Sequence, residues 1–144
     1  MASFSHTVDL SRPPAEVFPW LLEADKVPKW TGYLRTYEPV GDGALGTGSR
    51  VREVLEVSGR SFDFELEITR YEPPHGAETR FSTNGIDIVN DYRLEPAGAG
   101  TRLTQTLEAK PTSLTARMIV PVVQPRLEQK LTEDLERLRE TLSG

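Results

Sequence analysis

The strongest constraint in this chain is an imbalance: many strand-like segments, each with one apolar face, and a single long helix to cover them. Phe62, Phe64, Leu66 and Ile68 alternate with Asp63, Glu65, Glu67 and Thr69, the period-2 signature of a half-buried strand. The same alternation predicts a first strand with Phe4, His6, Val8 and Leu10 on one face, and strands over Leu34–Val40 and Arg50–Val57. It predicts three more around Phe81 (Glu78–Thr83), along Ile86, Ile88, Asn90, Tyr92 and Leu94, and along Leu103, Gln105 and Leu107. Ser58-Gly59, Glu72–Gly76, Asn84-Gly85 and Pro96–Gly100 punctuate them as turns. After the first strand, Ser11–Pro14 stops the extended chain, and Val17, Phe18, Leu21 and Leu22 predict a short helix to about Ala24, with a turn or second short helix over Asp25–Trp30. Leu114, Met118, Leu127, Leu131, Leu135, Leu138 and Leu142 then mark the one long helix. Pro121 and Pro125 predict a kink or break near Val120–Gln124, with a firm helix from about Pro125 to Ser143.

The implied class is α+β: a curved, seven-stranded antiparallel sheet against a long C-terminal helix, with one or two short helices after the first strand. No linker or internal repeat interrupts the chain, so residues 1–144 read as one domain. One helix does not fill a strongly curved sheet, and a mostly apolar gap between the two is a place for a small ligand.

Composition removes several alternatives. There is no Cys, so disulfides, thiolate metal sites and Cys nucleophiles are excluded, and two His leave little for a His-rich metal centre. Lys and Arg number 17 against 22 Asp and Glu, the wrong balance for a nucleic-acid binder. No apolar run reaches the roughly 18–20 residues of a membrane helix. The start of the chain lacks a basic and apolar leader, and the expected location is cytoplasmic. Gly41–Gly46 matches G-x-G-x-x-G, but a strand follows rather than a helix, so its glycines read as turn residues. No cofactor or metal is expected. Monomer and dimer both stay open.

Glu53 stands in the inner phase of its strand with Val51, Leu55 and Val57. A carboxylate facing an apolar cavity has a raised pKa and suits a general base; a bulge or edge position sends it to water instead. Asn90, Tyr92 and Gln105 share inner faces, where they either bond one another or orient a ligand. His6 on an apolar face reads as a core histidine, and His75 as a solvated turn residue. The candidate catalytic pair is Glu53 and Tyr92. The candidate ligand-contacting set is Trp30, Tyr33, Tyr37, Leu55, Phe62, Phe64, Phe81, Ile88, Asn90, Gln105, Met118 and Val122, rich in aromatics that serve equally as core. The charged residues of the last helix, Glu128, Lys130, Glu133, Asp134, Glu136, Arg137, Arg139 and Glu140, read as a solvated face, with Glu133 and Arg137 spaced for an i,i+4 pair.

Several segments, in order, resemble the START/SRPBCC superfamily, the helix-grip proteins typified by the birch-pollen allergen. They are Ser11–Phe18 (SRPPAEVF), Val27–Trp30 (VPKW), Gly46–Arg50 (GTGSR), Tyr71–Pro74 (YEPP), Tyr92–Pro96 (YRLEP), Gly100–Leu103 (GTRL) and Asp134–Leu138 (DLERL). Within the superfamily the chain is most similar to the polyketide cyclase/dehydrase-like branch. The resemblance implies a cavity between sheet and C-terminal helix for hydrophobic or amphipathic molecules, with Trp30 near its mouth. It covers lipid carriers, hormone receptors, quinone binders, co-chaperones and aromatase/cyclases, so it does not by itself make the protein an enzyme. Three readings follow: a carrier or sensor of a lipid- or polyketide-like molecule, a polyketide cyclase/dehydrase, and a co-chaperone-like interaction module. The cyclases usually place Arg inside the cavity, and no inward Arg is evident here.

Overall fold

Alternation does set the sheet. In the computed structural model, which describes residues 2–57 and 59–143, the strands are β1 (Ala2–Leu10), β2 (Leu34–Pro39), β3 (Arg50–Val57), β4 (Arg60–Glu72), β5 (Gly76–Thr83), β6 (Ile86–Ala97) and β7 (Gly100–Pro111). They form one antiparallel sheet in the order β1-β7-β6-β5-β4-β3-β2. Register irregularities between Leu34 and Thr36 and between Ile68 and Arg70 mark bulges, which bend strands and increase twist. The Asn84-Gly85 turn takes positive φ at both residues, the conformation that lets a tight hairpin follow strand twist. Ser58, the first residue of the expected Ser58-Gly59 turn, lies outside the described residues, as do Met1 and Gly144.

The first helical segment is divided. α1 spans Pro14–Val17 and α2 spans Pro19–Leu22, because Pro19 opens a second helix where one helix to Ala24 was expected. A 3-10 turn over Val27–Lys29 fills the Asp25–Trp30 stretch.

A kink or break was expected at Val120–Gln124; α3 spans Leu114–Thr141 as one helix, so the chain is not broken there. Pro121 and Pro125 lie four residues apart on an exposed face. The carbonyls that lose their donors, those of Arg117 and Pro121, therefore face water, which satisfies them. Ser113 caps the helix by accepting from the Ala116 N–H at 3.1 Å.

The C-terminal half of α3 and the residue that follows it carry the buried stripe Leu131, Leu135, Leu138 and Leu142, packed on Val8, Leu10, Leu103 and the short helices. Ala116 and Val120 pack in a second cluster with Ile86, Ile88 and Ala109. The arrangement is the helix-grip fold. On the outer sheet face Arg50 pairs with Glu65 and Glu67, and Arg52 with Asp63, as their outward phase requires.

Candidate functional site

Between the sheet and α3 lies a cavity of about 150 Å³, partly open to solvent. The alternation that makes the core also makes this wall: Leu55, Phe64, Leu66, Phe81, Ile88 and Leu107 are inward residues of β3 to β7. Phe64 and Phe81 stack with ring centroids 4.0 Å apart. Leu21, Leu22, Val27, Trp30 and Thr31 close one side, and Leu127, Lys130, Leu131 and Asp134 of α3 form the lid.

Glu53 is half-buried and lines this cavity. It stands opposite Tyr37 on β2 and Phe64 on β4. Its carboxyl makes no hydrogen bond or ion pair among the described residues. Burial against apolar walls pushes its pKa up to about 7; the Lys130 charge pulls it down and Asp134 pushes it up. The group thus changes charge near neutrality.

Tyr92 is buried on β6, and its cross-strand partner on β7 is Gln105. Gln105 Nε2 donates to Asn90 Oδ1 at 2.7 Å and to Tyr92 Oη at 3.4 Å. Asn90, Tyr92 and Gln105 therefore do bond one another, and still line the cavity. Gln105 Oε1 is buried with no hydrogen-bond partner among the described residues. Burial raises the Tyr92 hydroxyl above its ordinary pKa, with Asn90 opposing and Glu53 reinforcing, so it stays protonated. Tyr37 is likewise raised, by burial first and by the Glu53 charge next, and donates to the Leu22 carbonyl at 2.6 Å.

The third group was not legible as a site. Asp134, assigned by its charge to a solvated helix face, is 6% exposed and lines the cavity. It pairs with Lys130 at 2.5 Å and Arg137 at 3.1 Å, and accepts from the Gly32 N–H at 3.0 Å. Arg137 Nη1 donates to the Trp30 carbonyl at 2.8 Å, so the network ties α3 to the loop beside the cavity. The expected Glu133–Arg137 pair is replaced: Arg137 turns to Asp134, and Glu133 accepts from Gln129. The available signal was position, since Asp134 falls three residues after Leu131 and four before Leu138, inside the buried stripe.

Trp30, Tyr37, Leu55, Phe64, Phe81, Ile88, Asn90 and Gln105 come together at the cavity. Four expected contacts do not. Tyr33 is 54% exposed and takes a positive φ in the loop before β2. Phe62 shares the phase of Phe64 but lies nearer the start of β4, half-buried outside the cavity. Met118 and Val122 are 72% and 75% exposed, because the helix turns Ala116 and Val120 inward instead. His6 is half-buried, its Nε2 3.4 Å from Glu136 Oε2 on α3, and does not line the cavity; His75 is exposed. No group of three or more His, Asp or Glu suited to a metal ion occurs among the described residues.

The fold has known counterparts. The structure of CV1439 from Chromobacterium violaceum superposes with a TM-score of 0.79 at 18% identity, over 100% of this chain and 99% of that one. TTHA0849 from Thermus thermophilus matches with a TM-score of 0.76 at 18% identity, over 98% and 97% of the two chains. Ara h 8.0201 matches with a TM-score of 0.76 at 15% identity, over 98% and 97%. At such identities the likeness is one of fold. No curated protein matches the sequence. The family model for polyketide cyclase/dehydrase and lipid transport matches residues 1–143, and the chain belongs to that family.

Proposed function

We propose that the protein binds a small hydrophobic or amphipathic molecule, lipid- or polyketide-like in chemistry, in the cavity between sheet and α3. The observation that carries this reading is an apolar cavity onto which a few polar groups, Glu53, Tyr92 and Gln105, converge. A cavity of about 150 Å³ takes a benzene-sized body, so a ring-sized part of the ligand sits inside and a longer chain projects through the open side. The unpartnered Gln105 Oε1 asks for a donor, such as a ligand hydroxyl or N–H. Action in the cytoplasm belongs to the same reading, and a Cys-free chain accords with it. Native mass spectrometry of protein purified without detergent, with extraction of anything bound, tests it. A discrete adduct is expected. A clean apo mass, with no uptake from a panel of fatty acids, phenols and aromatic polyketides, defeats it.

A second reading is polyketide cyclase/dehydrase chemistry in the same cavity, favoured by a Glu53 pKa of about 7. Glu53 takes a proton from a carbon between two carbonyls, and the electron pair moves into the adjacent carbonyl oxygen. Tyr92, protonated at neutral pH, donates to that oxygen as it gains charge. The enolate carbon then bonds to a second carbonyl carbon of the same chain, held near it by the walls; that carbonyl's π pair moves onto its oxygen, which takes back the proton held by Glu53, and the first carbonyl re-forms as the enolate pair leaves its oxygen. Turnover by a Glu53→Gln protein at the wild-type rate removes this base from the mechanism.

A further inference from the structure

The first half of α3 presents an apolar stripe that the fold does not use. Leu114, Met118 and Val122, spaced i,i+4, are 75%, 72% and 75% exposed, and Ile119 beside them is also exposed. At about 100° per residue these side chains share one arc of the helix. Arg117 falls on one flank of the Leu114, Met118 and Val122 row, and Arg126, on the side of Ile119, falls on the other. The inward face, Ala116 and Val120, is already packed against β6 and β7. Large exposed apolar surface of this kind marks an interaction site.

Charge selects the partner. Between Ala109 and Leu127 the chain has Lys110, Arg117 and Arg126 and no acidic residue, in a protein of net charge -5. None of these three cations has an ion-pair partner among the described residues, whereas most other Arg side chains do. Lys110 and Arg117 also line an open groove beside the stripe, with Ser3, Val120 and Gln124. Asp87 lies opposite Lys110 across the β6–β7 ladder and accepts a hydrogen bond from Ser82, but no ion pair joins it to Lys110 among the described residues. A two-fold dimer through this face would set the basic flanks against their own copies, which disfavours a second chain as the occupant.

We propose that this stripe docks the protein on an anionic lipid surface. The apolar side chains enter the acyl boundary, and Arg117, Arg126 and the Lys110 groove meet lipid phosphates. No helix is long and apolar enough to cross a membrane, so the contact is peripheral. It places the bilayer against the same helix whose next turns, at Leu127 and Lys130, cover the cavity. Docking is independent of what the cavity holds.

The test is co-sedimentation of the full chain with vesicles of phosphatidylcholine alone and of phosphatidylcholine mixed with phosphatidylglycerol. Binding to the mixed vesicles only, weakened by added salt, is expected. Met118→Glu with Val122→Glu should weaken it at least about tenfold. Arg117→Gln with Arg126→Gln should weaken it about 25-fold, roughly fivefold per charge. All four positions are exposed, so the variants should melt with the wild type, which a thermal scan verifies. Binding indifferent to phosphatidylglycerol, or absent from both vesicles, overturns the proposal. So does a dimer in solution that the Met118→Glu/Val122→Glu protein abolishes, since a second copy would then cover the stripe.

Discussion

Replacing Glu53 by Gln isolates the cost of holding a carboxylate against the apolar cavity. The folded protein keeps the Glu53 proton up to about pH 7, whereas the ordinary value is 4.5. Between those values the native state binds a proton that the unfolded chain has released, so native stability falls as pH rises through the window. At about 1.4 kcal/mol per pH unit, the full interval sets a ceiling of about 3 kcal/mol. Water at the open side of the cavity screens the charge and brings the expected effect to about 1–3 kcal/mol. Gln has nearly the same shape and no ionisation. Whatever its amide gains or loses in contacts is the same at every pH. The difference in unfolding free energy between Glu53→Gln and wild type should therefore grow in favour of the variant from about pH 4.5 to 7 and level off above. Urea unfolding of both proteins across that range measures it. A difference that stays flat with pH, or that moves toward the wild type as pH rises, refutes the argument that burial governs this group.

Substitutions at three other positions test the rest of the site and the helix. Phe64→Ala removes a buried ring stacked on Phe81 and should cost about 3–5 kcal/mol in urea unfolding, with weakened ligand uptake; a loss under about 1 kcal/mol would mean the wall collapses around the gap. Asp134→Ala strands the Gly32 N–H and leaves Lys130 and Arg137 without their carboxylate, at a cost of about 3 kcal/mol, whereas Asp134→Asn keeps an acceptor for Gly32 and should cost less. Both changes should lower the Glu53 pKa, readable by NMR titration of its carboxyl carbon. Pro125→Ala restores a helix donor and relieves a clash in α3; after the entropy regained by the unfolded chain, it should stabilise by about 1–2 kcal/mol, seen as a raised urea midpoint.

The strand pattern was open to reading because a period of two is local: each side chain's face follows from its neighbours alone. That is why Glu53, Asn90, Tyr92 and Gln105, polar residues in apolar phase, stood out as candidates and do line the cavity. The helix was harder. Leu114 and Met118 were joined to Leu127 and Leu131 as one stripe, yet nine residues from Met118 to Leu127 turn the helix through about half a revolution. The two sets occupy opposite faces, and only packing against β6 and β7 chose Ala116 and Val120 for the inside. The same limit hid Asp134. Its carboxylate looks like any other in a charged helix until Lys130, Arg137 and the Gly32 N–H arrive from other positions to compensate its burial. Local alternation and turn chemistry thus determined the strands, the antiparallel class and the inward polar residues. The tertiary structure decided which face of α3 closes the cavity, how far along β4 the cavity reaches, and which charges enter it. Those choices depend on contacts between residues far apart in the chain, such as Gly32 with Asp134; periodicity within α3 points to the burial of Asp134 but does not say which part of the sheet its stripe meets.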